Sequence, residues 1–434
     1  MVLNRLSAFF HESSSYRGQV ARLASGNIIA AVLPFLFQPF IARLYNATDF
    51  SVLGWYMSFI SILSVFATGK YELAIVLPES DKDAKNIAFL SLALSVIFSI
   101  FFITVSVLFY NSIAGYLNTK DVVWIFFIGP GVFLYCSSQV FFYMANRYSL
   151  YNSMSISKIN QNAGMIVFQL VFGILSIGGL GLIFGRIFGY LISTVVLGWI
   201  VVKFSPIYKT DIRRDTISYL SKKYNNFPKH LILSNLVAAI YIQLPFIYIA
   251  KQYNSEVAGQ FSFAMQMITI PGILISNAIG YVFRQKASEL YKSSGRFDNL
   301  LIQTLKKCFL FSIVPFSILI FFSVPIFKVF FGGNWILAGK FASVLSIMAF
   351  IGFFITPIDN AAIVINKTNF EFWYQMSRFL ANILIIISAI LFSLPVFTYL
   401  YLLVIITVIH YIIDLFFSYK FSLSSAYFEQ LRNL

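Results

Sequence analysis

An arginine stands inside one of the most apolar segments of this 434-residue chain. Arg186 lies within GLIFGRIFGYLISTVVLGWI, where no other charged residue occurs. A charge in such a segment is costly, so it normally faces a protein interior or a cavity. The planar donors of Arg match phosphate oxygens well. Arg186 is therefore the leading candidate ligand for an anionic group, and snorkelling of its long side chain to the end of the segment is the alternative.

Five further basic residues are candidate ligands for the same kind of group. Lys70 comes shortly before the end of an apolar run, and Arg43 and Arg284 stand at the ends of two others. Arg147 and Arg378 complete the set. For the first three, an ordinary position at the end of a span is the alternative; for Arg147 and Arg378 it is the general bias of positive charge toward one side of a membrane.

Four titratable residues are candidates for holding a proton or coupling to an ion. Asp359 lies in ITPIDNAA, and Asp414 follows His410 by four residues in HYIIDLFF. That spacing puts the histidine and the carboxylate on one face of a helix, where they can share a proton. Glu72 follows Lys70 by two residues, which on a helix is about 200° of rotation. We therefore expect these two charges to face different neighbours. Their alternative is an ordinary span end at the headgroups with both charges solvated, and for Asp359 and Asp414 the alternative is a structural salt bridge.

The amino-acid composition indicates whether the chain folds in water or in a membrane. Hydrophobic residues make up 59% of the sequence and charged residues only 11%, with a mean hydropathy of +0.82. Soluble domains carry about 25% charged residues. Apolar runs of about 20 residues, long enough to cross a bilayer as helices, recur along the chain, whereas a β-barrel would show alternating segments of about 10 residues. The sequence predicts an all-α polytopic membrane protein.

Charged and turn-rich breaks between the apolar runs give the number of spans. The pattern predicts twelve transmembrane helices, at residues 19–44, 50–77, 86–110, 122–145, 156–177, 180–202, 230–250, 256–281, 308–327, 335–358, 372–392 and 396–417. Cytoplasmic loops retain Lys and Arg. With both termini in the cytoplasm, 25 of the 31 basic residues fall on the cytoplasmic side, five fall outside, and Arg186 lies within a span.

The longest hydrophilic stretch divides these spans into two sets of six. We expect an N-terminal lobe at residues 1–203, a cytoplasmic linker at residues 204–229, and a C-terminal lobe at residues 230–434 that ends in a short cytoplasmic tail. Because six is even, both lobes enter the membrane from the same side. Two helical bundles joined by a cytoplasmic linker are typical of alternating-access transporters.

Several motifs occur in an order and spacing that resemble a known family. They are RLY at 43–45, YELAIVLP at 71–78, GLIFGRIFG at 181–189, FP at 227–228 and VFRQKA at 282–287. Together they resemble the bacterial polysaccharide flippases of the Wzx type, in the multidrug/oligosaccharidyl-lipid/polysaccharide exporter superfamily. The likeness covers roughly the first two thirds of the chain and thins out beyond about Lys307.

The resemblance implies a protein of the bacterial inner membrane that is not an enzyme and needs no cofactor. It would move undecaprenyl-pyrophosphate-linked oligosaccharide repeat units from the cytoplasmic to the periplasmic leaflet for assembly of O-antigen or a related surface polysaccharide. Membrane lipids, a polysaccharide polymerase and a chain-length regulator are the implied partners, and nucleic acid is not. We expect a cationic cavity between the lobes, because an unpaired phosphate cannot cross hydrocarbon.

Two other classes remain open from the sequence. A cation-coupled multidrug exporter of the same superfamily would need acidic cavities, whereas the candidate cavity charges here are mainly basic. A membrane polymerase or ligase acting on lipid-linked sugars would need a sizeable outer loop, and the longest predicted outer segment is residues 111–121.

Overall fold

The computed structural model describes residues 16–117, 122–206, 208, 211–359, 361–365 and 367–423. The regular secondary structure of these ranges is helical: short 3₁₀ segments, turns and one π-helical segment at Phe227–Leu231 lie between the α-helices. In chain order the α-helices are α1 Tyr16–Leu44, α2 Ala47–Ala67, α3 Asp81–Leu108, α4 Tyr110–Leu117, α5 Ile128–Arg147, α6 Tyr151–Ile174, α7 Gly179–Phe204, α8 Arg214–Lys223, α9 Ile232–Gln252, α10 Ser255–Ser294, α11 Asp298–Phe330, α12 Ile336–Ile355, α13 Ala361–Val364, α14 Thr368–Leu391 and α15 Val396–Ser422.

The length and composition of these helices match a membrane environment. Within the described ranges, nine helices are long and apolar enough to cross a bilayer, and Ile28–Leu44 of α1 forms a shorter apolar helix. The long helices α6 and α10 fall outside this set; the first half of α6, YNSMSISKINQN, is polar. The prediction of a polytopic helical membrane protein is confirmed. The number of twelve spans and the cytoplasmic location of both termini remain predictions.

The second predicted span, at 50–77, is wrong at its C-terminal end. Helix α2 ends at Ala67, and Gly69 and Lys70 then adopt left-handed backbone conformations with φ of 62° and 60°. A separate 3₁₀ helix follows at Tyr71–Val76. Glycine adopts such a conformation without a steric penalty, so it ends a helix readily. The apolar letters after Lys70 therefore belong to a buried 3₁₀ turn and not to a continuation of the span.

The chain divides into two compact units, residues 1–240 and 241–434. In the first unit, α6 packs against α1 and α7, and α5 packs against α3 and α7. Its buried cluster joins Ile75 of the 3₁₀ helix to Ile87 of α3, Val140 of α5 and Leu197 of α7. Helix α8, which lies in the predicted linker, also packs on α3 and buries Leu220 in this cluster.

The second unit is built around α12, which packs against α10, α11 and α15, while α14 packs against α15. Aromatic contacts fill part of it: the Phe263 ring lies 4.1 Å from Trp335 and 4.9 Å from Phe331, centroid to centroid. The unit boundary falls inside α9. The predicted lobe and linker boundaries remain a prediction.

Candidate anion-binding sites

Arg378 is surrounded by tyrosine rings in the second unit. It lies half-buried on α14, and its Nη2 donates a hydrogen bond of 3.0 Å to the Tyr241 hydroxyl. The guanidinium carbon lies 4.9 Å from the Tyr241 ring centroid, 5.6 Å from that of Tyr374 and 5.5 Å from that of Tyr411. Its Nε is buried and has no hydrogen-bond acceptor among the described residues. We call Tyr241, Tyr374 and Tyr411 the tyrosine cage.

Three helices position the tyrosine cage. Tyr374 precedes Arg378 by four residues on α14, one turn away on the same face, and its hydroxyl donates to the His410 carbonyl of α15 at 3.0 Å. Tyr411 comes from α15 and Tyr241 from α9. Gly352 of α12 leaves room for Tyr411, because a Cβ there would lie 2.8 Å from the tyrosine hydroxyl.

A cavity of about 230 Å³ adjoins Arg378 in this unit. Apolar side chains such as Ile268, Phe316 and Phe353 form most of its wall, and Arg378, Tyr241 and Tyr411 contribute polar atoms. Further polar side chains line it as well: Thr269, Ser276, Thr356, Asn382 and Thr407. Its described lining contains no Asp or Glu, so the wall carries the single positive charge of Arg378.

Arg186, in the first unit, has surroundings similar to those of Arg378. It lies half-buried on α7, and its Nε is buried without an acceptor in the part of the chain that the structure describes. The hydroxyls of Tyr56, from α2, and Tyr190, from α7, lie within range of its charge. Gly131 of α5 leaves room for Tyr56, because a Cβ there would lie 1.9 Å from the Tyr56 hydroxyl.

The two buried arginines differ from the paired charges of the protein. Among the described residues, no carboxylate forms an ion pair with Arg186 or Arg378, whereas Lys70–Glu72, Lys85–Asp211, Arg147–Asp81 and Arg296–Asp298 are paired. A buried charge without a counterion is costly, and it normally persists where a ligand or cavity uses it. The arrangement can attract an anion into each unit.

Lys70 and Glu72 do not face different neighbours, which corrects the sequence-based expectation. Lys70 Nζ lies 3.9 Å from Glu72 Oε1, and the Thr68 hydroxyl donates to the other carboxylate oxygen. The expectation assumed a continuous helix, whereas the left-handed backbone at Gly69 and Lys70 breaks the helix before Glu72. Glu72 is buried, and its carboxylate already has two partners, Lys70 and Thr68.

Arg147 is held by the turn that precedes α3. Its Nη2 lies 2.9 Å from Asp81 Oδ1, and its guanidinium donates to the carbonyls of Pro78 at 2.5 Å and Glu79 at 3.1 Å. These bonds fasten the end of α5 to the start of α3. By contrast, the other two predicted basic ligands, Arg43 and Arg284, are exposed, Arg43 in the last turn of α1 and Arg284 on α10.

The predicted proton-holding residues of the second unit lie around the tyrosine cage. His410 and Asp414 are both buried on α15; His410 Nδ1 lies 2.8 Å from the Ile406 carbonyl, and the Ser418 hydroxyl donates to Asp414 at 3.3 Å. Asp414 interacts electrostatically with Tyr374. Asp359, in the turn after α12, does so with Tyr411. In the described structure neither acid forms an ion pair with Arg378.

A second polar network, which sequence reasoning missed, ties the predicted linker to α3. Lys85 donates to Asp211 Oδ2 at 3.1 Å and to the Pro206 carbonyl at 2.7 Å, and Asn86 donates to the Asp211 carbonyl at 2.7 Å. The backbone N–H of Arg213 donates to Asn86 at 3.0 Å. The hydrogen bond from Lys85 holds the pKa of Asp211 below its ordinary value. We call these contacts the linker latch.

The sequence analysis also missed the tyrosine cage, although the spacing of Tyr374 and Arg378 on α14 could have predicted one of its contacts. Tyrosine and arginine four residues apart on one apolar helix predict a stacked pair. Tyr241 lies 137 residues before Arg378 in the chain, and no sequence pattern predicts their contact.

Among the described residues, no group of three His, Cys, Asp or Glu side chains has the geometry of a metal site.

The fold and these sites define a class: a polytopic helical membrane protein with uncompensated cationic side chains buried in both of its units. The particular family follows from similarity. Residues 40–340 match the family described as "Polysaccharide biosynthesis protein", and the chain belongs to it. The chain is also 24% identical, over 336 residues, to the teichuronic acid biosynthesis protein TuaB of Bacillus subtilis. That match covers 74% of this chain but only 65% of the relative.

Solved structures show which fold this family sequence adopts. The lipid II flippase MurJ, in an inward closed conformation, matches with a TM-score of 0.67 at 15% identity, over 94% of this chain and 90% of MurJ. An inward-facing multidrug resistance MATE transporter of the MOP superfamily matches with a TM-score of 0.61 at 14% identity, over 95% and 96% of the two chains. The predicted link to a polysaccharide biosynthesis family is confirmed by the family match, and the solved structures show the fold.

Proposed function

We propose that this protein is a flippase for undecaprenyl-pyrophosphate-linked oligosaccharide repeat units, which it moves from the cytoplasmic to the periplasmic leaflet of the bacterial inner membrane. The cargo would serve O-antigen or a related surface polysaccharide. The observation that carries the proposal is the burial of Arg186 and Arg378 without carboxylate counterions in the described structure. A diphosphate must exchange water for such donors to cross hydrocarbon.

The proposed mechanism is alternating access through a cationic passage between two six-helix lobes, at residues 1–203 and 230–434. Arg186 and Arg378 are the principal anion ligands. Lys70, Arg43 and Arg284 are secondary contacts for the diphosphate on its way, and Arg147 serves mainly to join α5 to α3.

Proton or ion coupling is assigned to the acids beside the tyrosine cage. Asp414 and His410 share one face of α15, and Asp359 adjoins Tyr411. A proton gained or lost here would alter the field around Arg378 without touching the anion itself. Glu72, already engaged by Lys70 and Thr68, is the weaker candidate. A polysaccharide polymerase and a chain-length regulator are the proposed protein partners.

A cation-coupled multidrug exporter is the second candidate, supported by the likeness to MATE transporters. Two buried guanidinium groups would repel a cationic drug, whereas they attract a diphosphate, so the flippase is favoured. A membrane polymerase or ligase is the less favoured third reading.

Deletion of the gene tests the proposed function. We expect surface polysaccharide to disappear and lipid-linked repeat units to accumulate on the cytoplasmic leaflet. Wild-type protein should restore both, and a variant with Arg186→Ala and Arg378→Gln should restore neither at equal abundance in the membrane. Normal surface polysaccharide after deletion, in a strain without a second flippase, would contradict the assignment. Export of a cationic dye by the purified protein in vesicles would favour the second candidate.

A further inference from the structure

An open cavity lies in the first unit, where the turn between α5 and α6 meets the start of α3. Its volume is about 490 Å³, within the roughly 300–1,000 Å³ of pockets that enclose small organic ligands. It opens at the surface of this unit, because Val76 and Asp81 in its wall are exposed. We call it the turn cavity, and its described lining is Val76, Asp81, Asn146, Arg147, Tyr148 and Tyr151.

A residue with a left-handed backbone shapes the turn. Ser149 has a φ of 55°. Its N–H donates to the Asn146 carbonyl at 3.0 Å, and the N–H of Leu150 donates to the Ala145 carbonyl at 2.9 Å. This is the Schellman arrangement, which closes the C-terminus of a helix. Because α5 ends sharply here, Asn146 in its last turn and Tyr151 at the start of α6 line the same cavity.

The charges in the described lining of the turn cavity cancel. Arg147 and Asp81 form an ion pair, with Nη2 2.9 Å from Oδ1. The guanidinium also donates to the backbone carbonyls of Ile75, Pro78 and Glu79. Each of its three nitrogen atoms is therefore engaged within the protein. An anion finds no spare cationic donor in this lining, in contrast to the surroundings of the buried arginines.

The other polar groups of the turn cavity are available to a ligand. Within the described residues, neither the side-chain amide of Asn146 nor the hydroxyl of Tyr151 has a hydrogen-bond partner. Both contacts of Arg147 with Asp81 are to Oδ1, so Oδ2 keeps its acceptor capacity. The cavity thus offers an amide donor, amide and carboxylate acceptors, and a hydroxyl that can donate or accept. A molecule rich in hydroxyl groups matches such a mixed set.

Two tyrosine rings complete the turn cavity. The Tyr148 ring is held in place, because its centroid lies 5.2 Å from that of Phe204 and its hydroxyl donates to Ser205 at 3.1 Å. Tyr151 is half-buried at the first residue of α6. Tyrosine presents an apolar ring beside a polar tip. A sugar ring has the complementary form, since its C–H face is apolar and its rim carries hydroxyl groups.

We propose that the turn cavity binds a saccharide, whose hydroxyl groups contact Asn146, Asp81 and Tyr151 and whose ring lies against the tyrosine rings. The site rests on the geometry. Its assignment to the oligosaccharide of a transported repeat unit rests on the proposed function. In the predicted topology this end of the unit faces the cytoplasm, the side on which the cargo would be loaded. Recognition of the sugar would then be separate from the diphosphate contacts assigned to the buried arginines.

Binding of a soluble sugar to the purified full-length protein tests the proposal. The protein is held in phospholipid nanodiscs, because many detergents carry sugar headgroups that would compete. The probe is radiolabelled repeat-unit oligosaccharide, released by hydrolysis from the surface polysaccharide of the strain that carries the gene, and equilibrium dialysis measures its affinity. We expect saturable binding that an excess of inorganic pyrophosphate does not displace. Absence of saturable binding, or displacement by pyrophosphate, would overturn the saccharide site.

Variants locate the binding in the turn cavity. Asn146→Ala removes no described hydrogen bond from the fold, so it should keep the wild-type unfolding temperature and weaken the oligosaccharide by about 2- to 10-fold. Asn152→Ala, an exposed change on α6 outside the described lining, is the matched control and should leave the affinity unchanged. Val76→Trp keeps every hydrogen-bonding group but fills part of the cavity, so it should also weaken binding. Unchanged affinity in both cavity variants would overturn the proposal.

Competition with glucose distinguishes the cargo from a free sugar of the cell. A single ring makes fewer contacts than an oligosaccharide, so glucose should compete at least about tenfold more weakly. Equal competition would overturn the assignment to the cargo and give the cavity to a monosaccharide. Because binding is measured without lipid or transport, its failure leaves the flippase proposal standing. Failure of the gene-deletion test would likewise leave the measured affinity unchanged.

Discussion

The two units bury one arginine each by the same means. Arg186 and Arg378 lie on long apolar helices, and each keeps a buried Nε without a described acceptor. Tyrosine rings lie around Arg378, and two tyrosines interact electrostatically with Arg186. In each unit, a glycine on a neighbouring helix leaves room for a tyrosine hydroxyl: Gly131 for Tyr56 and Gly352 for Tyr411. Tyrosine accommodates a cation with its ring face and its hydroxyl oxygen, without neutralising it as a carboxylate would.

The difference between the units lies in how firmly the charge is held. Three rings and a hydrogen bond to Tyr241 fix Arg378. Among the described contacts of Arg186, the tyrosines act only through their electrostatic fields. More described contacts therefore hold the guanidinium of Arg378 than hold that of Arg186.

The largest effect is expected from Arg186→Ala. Loss of a charge-assisted contact should slow transport by roughly 10- to 100-fold, since a hydrogen bond to a charged group contributes about 1.5–3 kcal/mol. Arg186→Lys keeps the charge but loses the planar fork, so it should retain part of the activity. The measurement is surface polysaccharide in a deletion strain, normalised to protein in the membrane. Full activity of Arg186→Ala would remove this residue from the transport path.

The next largest effect, a loss of stability, is expected when Gly131 or Gly352 is replaced by alanine. Gly131→Ala places a Cβ 1.9 Å from the Tyr56 hydroxyl and Gly352→Ala one 2.8 Å from that of Tyr411. Overpacking of this kind costs about 1–3 kcal/mol, and we expect Gly131→Ala to cost more because the approach is closer. Thermal unfolding in detergent measures both.

Gly115→Ala is the matched control for these variants, because nothing lies within 4 Å of its new Cβ. It should leave the unfolding temperature unchanged or raise it slightly, since alanine favours a helix over glycine. If Gly131→Ala behaves as this control does, the close approach of Tyr56 is not a constraint on the first unit.

The linker latch offers the opposite arrangement, a cation that is fully paired. Asp211→Asn leaves Lys85 without its carboxylate, so the chain at 203–229 should open and be cut faster by protease. Asp215→Asn, an exposed change on α8, is the control.

Because the pKa of Asp211 is lowered, the ion pair stabilises the folded state above that pKa and is lost only as pH falls through it. Protease resistance should therefore be equal at neutral and mildly acidic pH, and a loss already at mildly acidic pH would contradict the assignment.

These sites show where sequence reasoning works in this protein. The helical membrane class could be predicted because lipid selects long apolar runs whatever their neighbours are. Arg186 could be singled out because a charge is rare in such a run. The break at Gly69 was missed because the apolar letters resume at Leu73 and conceal a left-handed turn.

Long-range contacts account for the rest of what was missed. Lys85 and Asp211 are 126 positions apart, and Tyr241 and Arg378 are 137 apart. Each residue looks ordinary in its own segment: a lysine in a cytoplasmic loop, or a tyrosine in an apolar helix. Only the packing of helices distinguishes the paired Lys85 from the unpaired Arg378, and packing in lipid depends on shape rather than on a hydrophobic pattern.

The smallest expected effect tests whether the Tyr241 hydroxyl or its ring holds Arg378. Tyr241→Phe keeps the ring face at 4.9 Å but removes the acceptor of the 3.0 Å hydrogen bond, so it should cost about 0.5–1.5 kcal/mol of stability. Tyr399→Phe is the matched control, because the buried Tyr399 hydroxyl has no hydrogen-bond partner among the described residues. Its loss should be neutral or stabilising. If both variants unfold at the wild-type temperature, the ring faces alone hold Arg378. The contrast with Arg186, for which no ring contact is described, would then rest on these three rings alone.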